Sequence, residues 1–348
     1  MKSLFPLLLC FFGLVTSYAQ IGGRQIYSFL QLPASARVSA LGGSLITVQD
    51  DDINLAASNP ALLNPAMHQQ IGLSHSFHVD GISHGYAAYG QYLEKPDLTV
   101  HGSLRYISYG DFQRTNALFQ QEGTFSAGEY AFTVGAARTF EDRLTLGLNL
   151  RAISSRFDRY SSFGVAADAG IVYRDTSSLL TITMVFQNIG RQLSTYDGVN
   201  REPMPFEIQA GVSKRLRYLP FRFSIIYHNM QRWNILYDDP NAEQGTIFLG
   251  QEQTTDGTQN QVLDNLFRHF IFSGELLLGA ADNFRLRVGY NHLIRRELSV
   301  DSYGSLAGFS FGVGIKVNRF RIDYGRYTYH LAGGQNHFSI STNIQEFK

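Results

Sequence analysis

The sequence predicts an all-β protein, a 14-stranded antiparallel transmembrane β-barrel with an amino-terminal hatch, or plug, inside it. Three observations lead there. The composition is poor in charge and rich in rings and glycine: 17% charged residues, 19 Tyr, 26 Phe and 33 Gly in 348 residues. Ordinary soluble domains carry roughly 25% charge. Apolar and polar residues alternate with a period of two over long stretches. Long connections also alternate with tight turns along the chain, the signature of a barrel with two unlike ends.

Composition excludes several classes. With 29 basic against 29 acidic residues there is no cationic excess to neutralise phosphates, so nucleic acid is not an expected partner. A single Cys excludes a disulfide scaffold. The apolar content leaves enough to bury that disorder is excluded too.

Residues 1–19 read as a secretory signal peptide. Lys2 precedes an apolar run from Leu4 to Val15, and Ser17-Tyr18-Ala19 places small residues before a cut. The run is short for a membrane-spanning helix, and no later segment reaches the apolar length one needs. An exported chain without such a helix can still cross a membrane as a closed barrel. The expected location is the cell outer membrane, with long loops extracellular and short turns periplasmic.

Residues 20–70 lack sustained alternation and carry turn signals, including Ser35-Ala36-Arg37, Gly42-Gly43 and Asn59-Pro60-Ala61. Such a segment fits a hatch folded into the lumen, for which a barrel of this strand number has room. Asp50-Asp51-Asp52 lacks the spacing of a calcium loop and is expected to be a solvated turn.

From residue 71 to 348 the chain reads as barrel. Strands are expected near 71–79, 82–93, 98–110, 128–140, 143–156, 161–174, 179–190, 205–217, 220–231, 268–280, 283–296, 304–317, 319–330 and 335–345. Leu144, Leu146, Leu148 and Leu150 would face lipid, and Thr145, Gly147, Asn149 and Arg151 the lumen. Phe309, Phe311, Val313, Ile315 and Val317 repeat the pattern. The strands approach the ten or so residues needed to cross a bilayer at a tilt. Tyr106, Tyr109, Tyr173, Tyr227, Tyr290, Tyr324, Tyr327 and Tyr329 are candidates for interfacial girdles. Inward Arg151, Arg285, Arg287, Lys316 and Arg321 either line an anion-attracting lumen or pair with Asp323, Glu129 and hatch carboxylates. Pairing is favoured, because an unpaired buried charge is costly.

Odd-numbered connections, 111–127, 191–204, 232–267 and 297–303, are expected to be long; the even ones, such as Glu141-Asp142 and Tyr218-Leu219, are tight. The loop 232–267 exceeds the usual length of a structureless connection. Its Trp233, Tyr237, Phe248, Leu249, Leu263 and Phe267 are candidate partner-binding residues, since aromatic groups commonly anchor interfaces. The ten His are dispersed without zinc-type spacing. No Gly-x-Ser-x-Gly elbow occurs, so no catalytic residue, cofactor or metal is assigned and an enzyme is not expected.

The run Tyr27-Ser28-Phe29-Leu30, Pro33-Ala34-Ser35-Ala36-Arg37, Gly42-Gly43 with Asn59-Pro60 resembles the hatch of the FadL-like outer-membrane barrels. Within that group Ser161-Ser162-Phe163-Gly164, Gln187-Asn188-Ile189-Gly190 and Arg232-Trp233-Asn234 with Tyr237-Asp238-Asp239-Pro240 resemble the PorQ-like proteins of the Bacteroidetes type IX secretion system. That resemblance implies a non-enzymatic anchor in the attachment complex, docking a PorZ-like surface protein beside a PorU-like sortase and a PorV-like barrel. The complex processes cargo and joins it to anionic lipopolysaccharide. The alternatives are a FadL-like transporter of hydrophobic molecules and a PorV-like cargo shuttle.

Overall fold

The computed structural model describes residues 25–78, 81–236, 256–279, 282–298, 306–330 and 333–347. The signal-peptide expectation for 1–19 lies outside them, as do Tyr237, Phe248 and Leu249. Fourteen strands close into one barrel, each paired antiparallel with its sequence neighbours and the first with the last.

The strands are β1 (Gln70–Phe77), β2 (Ser83–Leu93), β3 (Leu98–Thr115), β4 (Gln121–Phe140), β5 (Leu144–Phe157), β6 (Tyr160–Asp175) and β7 (Leu180–Ser194). They continue as β8 (Glu207–Arg215), β9 (Phe221–Tyr227), β10 (Phe270–Leu278), β11 (Phe284–Asn291), β12 (Phe309–Val317), β13 (Phe320–His330) and β14 (Gly333–Asn343). Alternation acts as expected: Leu144, Leu146, Leu148 and Leu150 are exposed on the outside, while Thr145, Asn149 and Arg151 are buried in the lumen. An apolar outer face around a polar interior is the arrangement of outer-membrane barrels.

The wall is uneven. β3 and β4 have 18 and 20 residues, whereas β8 to β12 have 7 to 9 each. Residues 111–127 are therefore not a loop. They carry β3 and β4 upward as a hairpin with a five-residue tip at 116–120. Phe112 stacks on Phe125 across it, with centroids 5.3 Å apart. Over the low side lie two helices that period-two reading does not find, α2 (Asp256–Arg268) and α3 (His292–Glu297). Asn291 caps α3 by accepting from the Ile294 N–H, which ends β11 where the sequence pattern continues to 296.

The plug occupies the lumen from residue 25 to 69. It contains one α-turn, α1 (Ala36–Ala40), and four 3-10 turns. Ser35 caps α1 by accepting from the Val38 N–H. The repeated Asn-Pro pairs serve the same purpose. Asn59 accepts from Ala61 and Asn64 from Ala66, each with proline at the first helical position. Gly42 and Gly43, both at φ +89°, turn the chain after α1, a conformation open to glycine without strain. Leu41, Leu45, Ile46, Leu55, Leu62 and Leu63 are fully buried, so the apolar core of this protein lies inside the barrel, within the plug.

Candidate functional site

Two features define the lumen, a clamp that holds the plug and a cavity beside it. The hub of the clamp is Arg37 of α1, fully buried. Its Nε donates to Glu275 Oε1 of β10 at 3.0 Å, its Nη2 to Asp50 Oδ2 at 2.8 Å and its Nη1 to Asp52 Oδ2 at 3.2 Å. Arg222 of β9 and Arg287 of β11 bind the same Glu275 at 3.0 and 3.1 Å. Arg287 also donates to Asp323 of β13, and Arg321 to Asp51. The acidic run is thus not a solvated turn. It is the plug's half of a charge network, and Asp52 is only 3% exposed. Burial pushes the Asp50 carboxyl up, but the Arg37 guanidinium beside it more than offsets this and holds it well below the usual range.

Four of the five inward cations pair as expected, with changes of partner; Arg285 instead donates to the Asp282 carbonyl at 3.1 Å and has no ion pair among the described residues. Arg151 pairs with Asp168 at 2.8 Å and Lys316 lies 3.5 Å from Glu346. Glu129 accepts from the Tyr109 hydroxyl at 2.6 Å and pairs with no arginine of the network. Tyr109 and buried Tyr327 face the lumen and so leave the girdle set, while Tyr173 stays exposed outside.

Elsewhere the seam is closed by hydrogen bonds between plug and wall. Arg105 reaches Leu32 O at 2.8 Å, Asn149 reaches Ala56 O at 3.0 Å, and Asn59 donates to Thr183 at 2.8 Å. Strand glycines admit the plug backbone. A Cβ at Gly147 would overlap Pro60 and Ala61, at Gly289 it would overlap Leu41 and Gly42, and at Gly325 it would overlap Ala36.

The histidines are less dispersed than the sequence implies. The rings of His78, His84 and His337 touch in series, with His78 Nε2 2.6 Å from His84 Nδ1. Among the described residues no group of three ligands is arranged to hold a metal ion.

The cavity holds about 320 Å³ and opens at the long-loop end, where the wall is low. Phe29 and Leu32 of the plug, Ile107 of β3, Ile271 of β10 and Leu293 and Ile294 of α3 supply its apolar lining. Glu207, Gln209, His228 and Asn229 form a polar side near the tops of β8 and β9. That size is at the lower end of the range for small-molecule pockets. Only the apolar character of its plug residues was legible beforehand, because the low rim that opens it depends on strand lengths.

No protein family and no curated protein matches the chain. Several solved barrels resemble it. A deletion mutant of the TodX monoaromatic hydrocarbon channel is 12% identical, over 90% of this chain and 99% of that one, with a TM-score of 0.48. A Pseudomonas aeruginosa FadL homologue is 10% identical, over 89% and 98%, at 0.47. A mutant Rhodopseudomonas blastica porin is 8% identical, over 78% and 96%, at 0.27. The chain is a barrel of the outer-membrane kind. Its closed antiparallel strand order and outward apolar face make it one.

The candidate partner residues divide. Trp233 is 57% exposed, with its ring stacked on His269 and its carbonyl accepting from Asn265 and His269. Leu263 and Phe267 lie on α2 and are about half exposed. The hatch residues Ser35, Arg37, Gly42, Gly43, Asn59 and Pro60 all act within the plug or between plug and wall.

Proposed function

We propose that the chain is an outer-membrane barrel that binds a small, largely apolar molecule arriving from the long-loop side, taken as the cell exterior. The observation that carries this is the cavity. It is walled by fixed plug residues on one side and by β3 and the short strands β8, β10 and β11 on the other, and it is open where the wall is low. The clamp keeps the plug in place, so the site is preformed, and a preformed site spares the ordering cost of binding. Ser28, exposed on the cavity rim and outside the clamp, is the place to test it. Ser28→Trp should fill the opening and abolish saturable binding of octan-1-ol or toluene to the purified barrel, with thermal stability unchanged. Equal binding by both proteins would reject the reading.

A second reading, the PorQ-like anchor, is supported by one observation. Val262, Leu263 and Trp233 leave more than half of their surface uncovered at the long-loop end. A docked PorZ-like protein would cover them, with PorU- and PorV-like proteins in the same complex. Affinity purification from native outer membranes in mild detergent tests it. Those partners should accompany the natural chain and be lost from a Val262→Glu, Leu263→Glu double variant. A barrel that purifies alone, or one whose partners ignore the substitutions, argues against docking through α2.

A further inference from the structure

Over residues 261–268, α2 is amphipathic with its faces reversed. Asn265 and Arg268 are 4% and 9% exposed, whereas Val262, Leu263 and Phe267 are about half exposed. The polar groups fasten the helix to the rim. Asn265 Nδ2 donates to the Trp233 carbonyl at 2.6 Å, and Asp264 accepts from Arg268 at 2.9 Å and lies 3.2 Å from His292 Nε2 of α3. A helix on the surface of a water-soluble protein turns its apolar stripe to the core and its charged side outward. This one does the opposite.

The exposed stripe continues the lipid-facing wall. The Phe267 ring lies 6.5 Å from that of Phe270, the first residue of β10, and Phe270 stacks on Phe272 at 5.9 Å. Phe270 and Phe272 point outward, since the alternate residues Ile271 and Ser273 are buried in the lumen. Trp233 joins the same surface by stacking on His269, which stacks on the outward Tyr227 of β9. The wall beneath is short. The seven residues of β9, at about 3.4 Å each and a tilt of about 40°, rise only about 18 Å across the membrane, against an apolar band of about 25 Å. β8 and β10 have nine residues each, while β3 to β6 have 14 to 20. A helix about 10 Å across, laid on the low rim, makes up that difference.

We propose that the outer face of α2 is embedded in the membrane: acyl chains of the leaflet on the long-loop side cover Val262, Leu263 and Phe267, and the helix supplies the height that β8 to β10 lack. This gives to lipid the face that the anchor reading gives to a docked protein, and it is independent of what the cavity binds.

Trp233 is the only tryptophan in the chain, which makes site-specific fluorescence direct. In a Trp233→Phe background, single reporters are introduced by Leu263→Trp on α2, by Leu146→Trp on the lipid-facing side of β5 and by Leu118→Trp at the exposed tip of the β3–β4 hairpin. Each full-length barrel is folded into phosphatidylcholine vesicles, with or without brominated acyl chains, and titrated with iodide; heat-modifiable migration confirms assembly. Leu263→Trp should lose emission to the brominated chains nearly as Leu146→Trp does, and should resist iodide. Leu118→Trp should show the converse. A Leu263→Trp reporter that follows Leu118→Trp, quenched by iodide and indifferent to bromine, would overturn the proposal and return the face to a protein partner. Shielding from both quenchers would overturn it as well, because the face would then be covered by protein in the purified barrel itself.

Discussion

Arg37→Met should release the plug while leaving the barrel folded. The guanidinium is fully buried and bridges Asp50 and Asp52 of the plug to Glu275 of the wall. Methionine fills comparable volume but provides no charge, so buried carboxylates lose a shared counter-ion. Removing one partner of a buried pair typically costs about 3–5 kcal/mol. Glu275 keeps Arg222 and Arg287, so the wall side stays partly compensated and the loss falls mainly on the plug. Planar-bilayer recordings should show larger and noisier conductance than the natural protein, and limited proteolysis should cut within 25–69. The barrel's heat-modifiable migration on gels should be retained. Arg37→Lys keeps the charge but not the bidentate fork, and should fall between the two. Acid provides an independent arm. The Asp50 pKa is depressed in the folded state, so its contribution is fully present above the unfolded value of about 4 and is lost as pH falls through the lower folded value. Conductance of the natural protein should therefore be steady from pH 8 to 5 and rise only in stronger acid. A quiet, protease-resistant Arg37→Met barrel would show that the clamp does not hold the plug.

Much of this architecture can be read from the chain, because lipid and lumen impose a period of two on every spanning strand. Leu144 to Arg151 and Phe309 to Val317 show their faces directly. The misreadings occur where that constraint ends. Above the membrane β3 and β4 are exposed on both faces, so 111–127 carries no alternation and resembles a loop, although its ladder is continuous apart from local shifts. α3 is six residues long and follows β11 directly; its one sequence signal is the capping Asn291. The role of Asp50–Asp52 depends on Arg37 and Arg321, which lie 13 and 270 residues from their acidic partners. No local pattern reports such a pairing. The cavity is harder still to foresee, since its opening arises from differences in strand length around the rim.

The glycines on the inner face supply the second large expected effect. Gly147 lies on β5, facing the lumen between the outward Leu146 and Leu148. Valine suits a strand in its own right, and β5 is paired along its whole length with β4 and β6. A side chain there would nonetheless overlap the Pro60–Ala61 backbone, and neither the ladder nor a capped proline turn can yield locally. Overpacking in a well-filled core costs about 1–3 kcal/mol when side chains can adjust, and here the obstruction is main chain. The strand should keep its place and the turn should leave. Gly147→Val is expected to expose the 59–67 segment to protease and raise conductance, with barrel assembly intact. Gly102→Val is the matched control: it makes the same change at a strand glycine whose added Cβ meets nothing within 4 Å, and it should be silent in both assays. If the two variants behave alike, the plug does not rest on the wall at Gly147. If only Gly147→Val opens the pore, the bare strand backbone is a seat for the plug, and glycine on the inner face of this barrel is retained for close approach rather than flexibility.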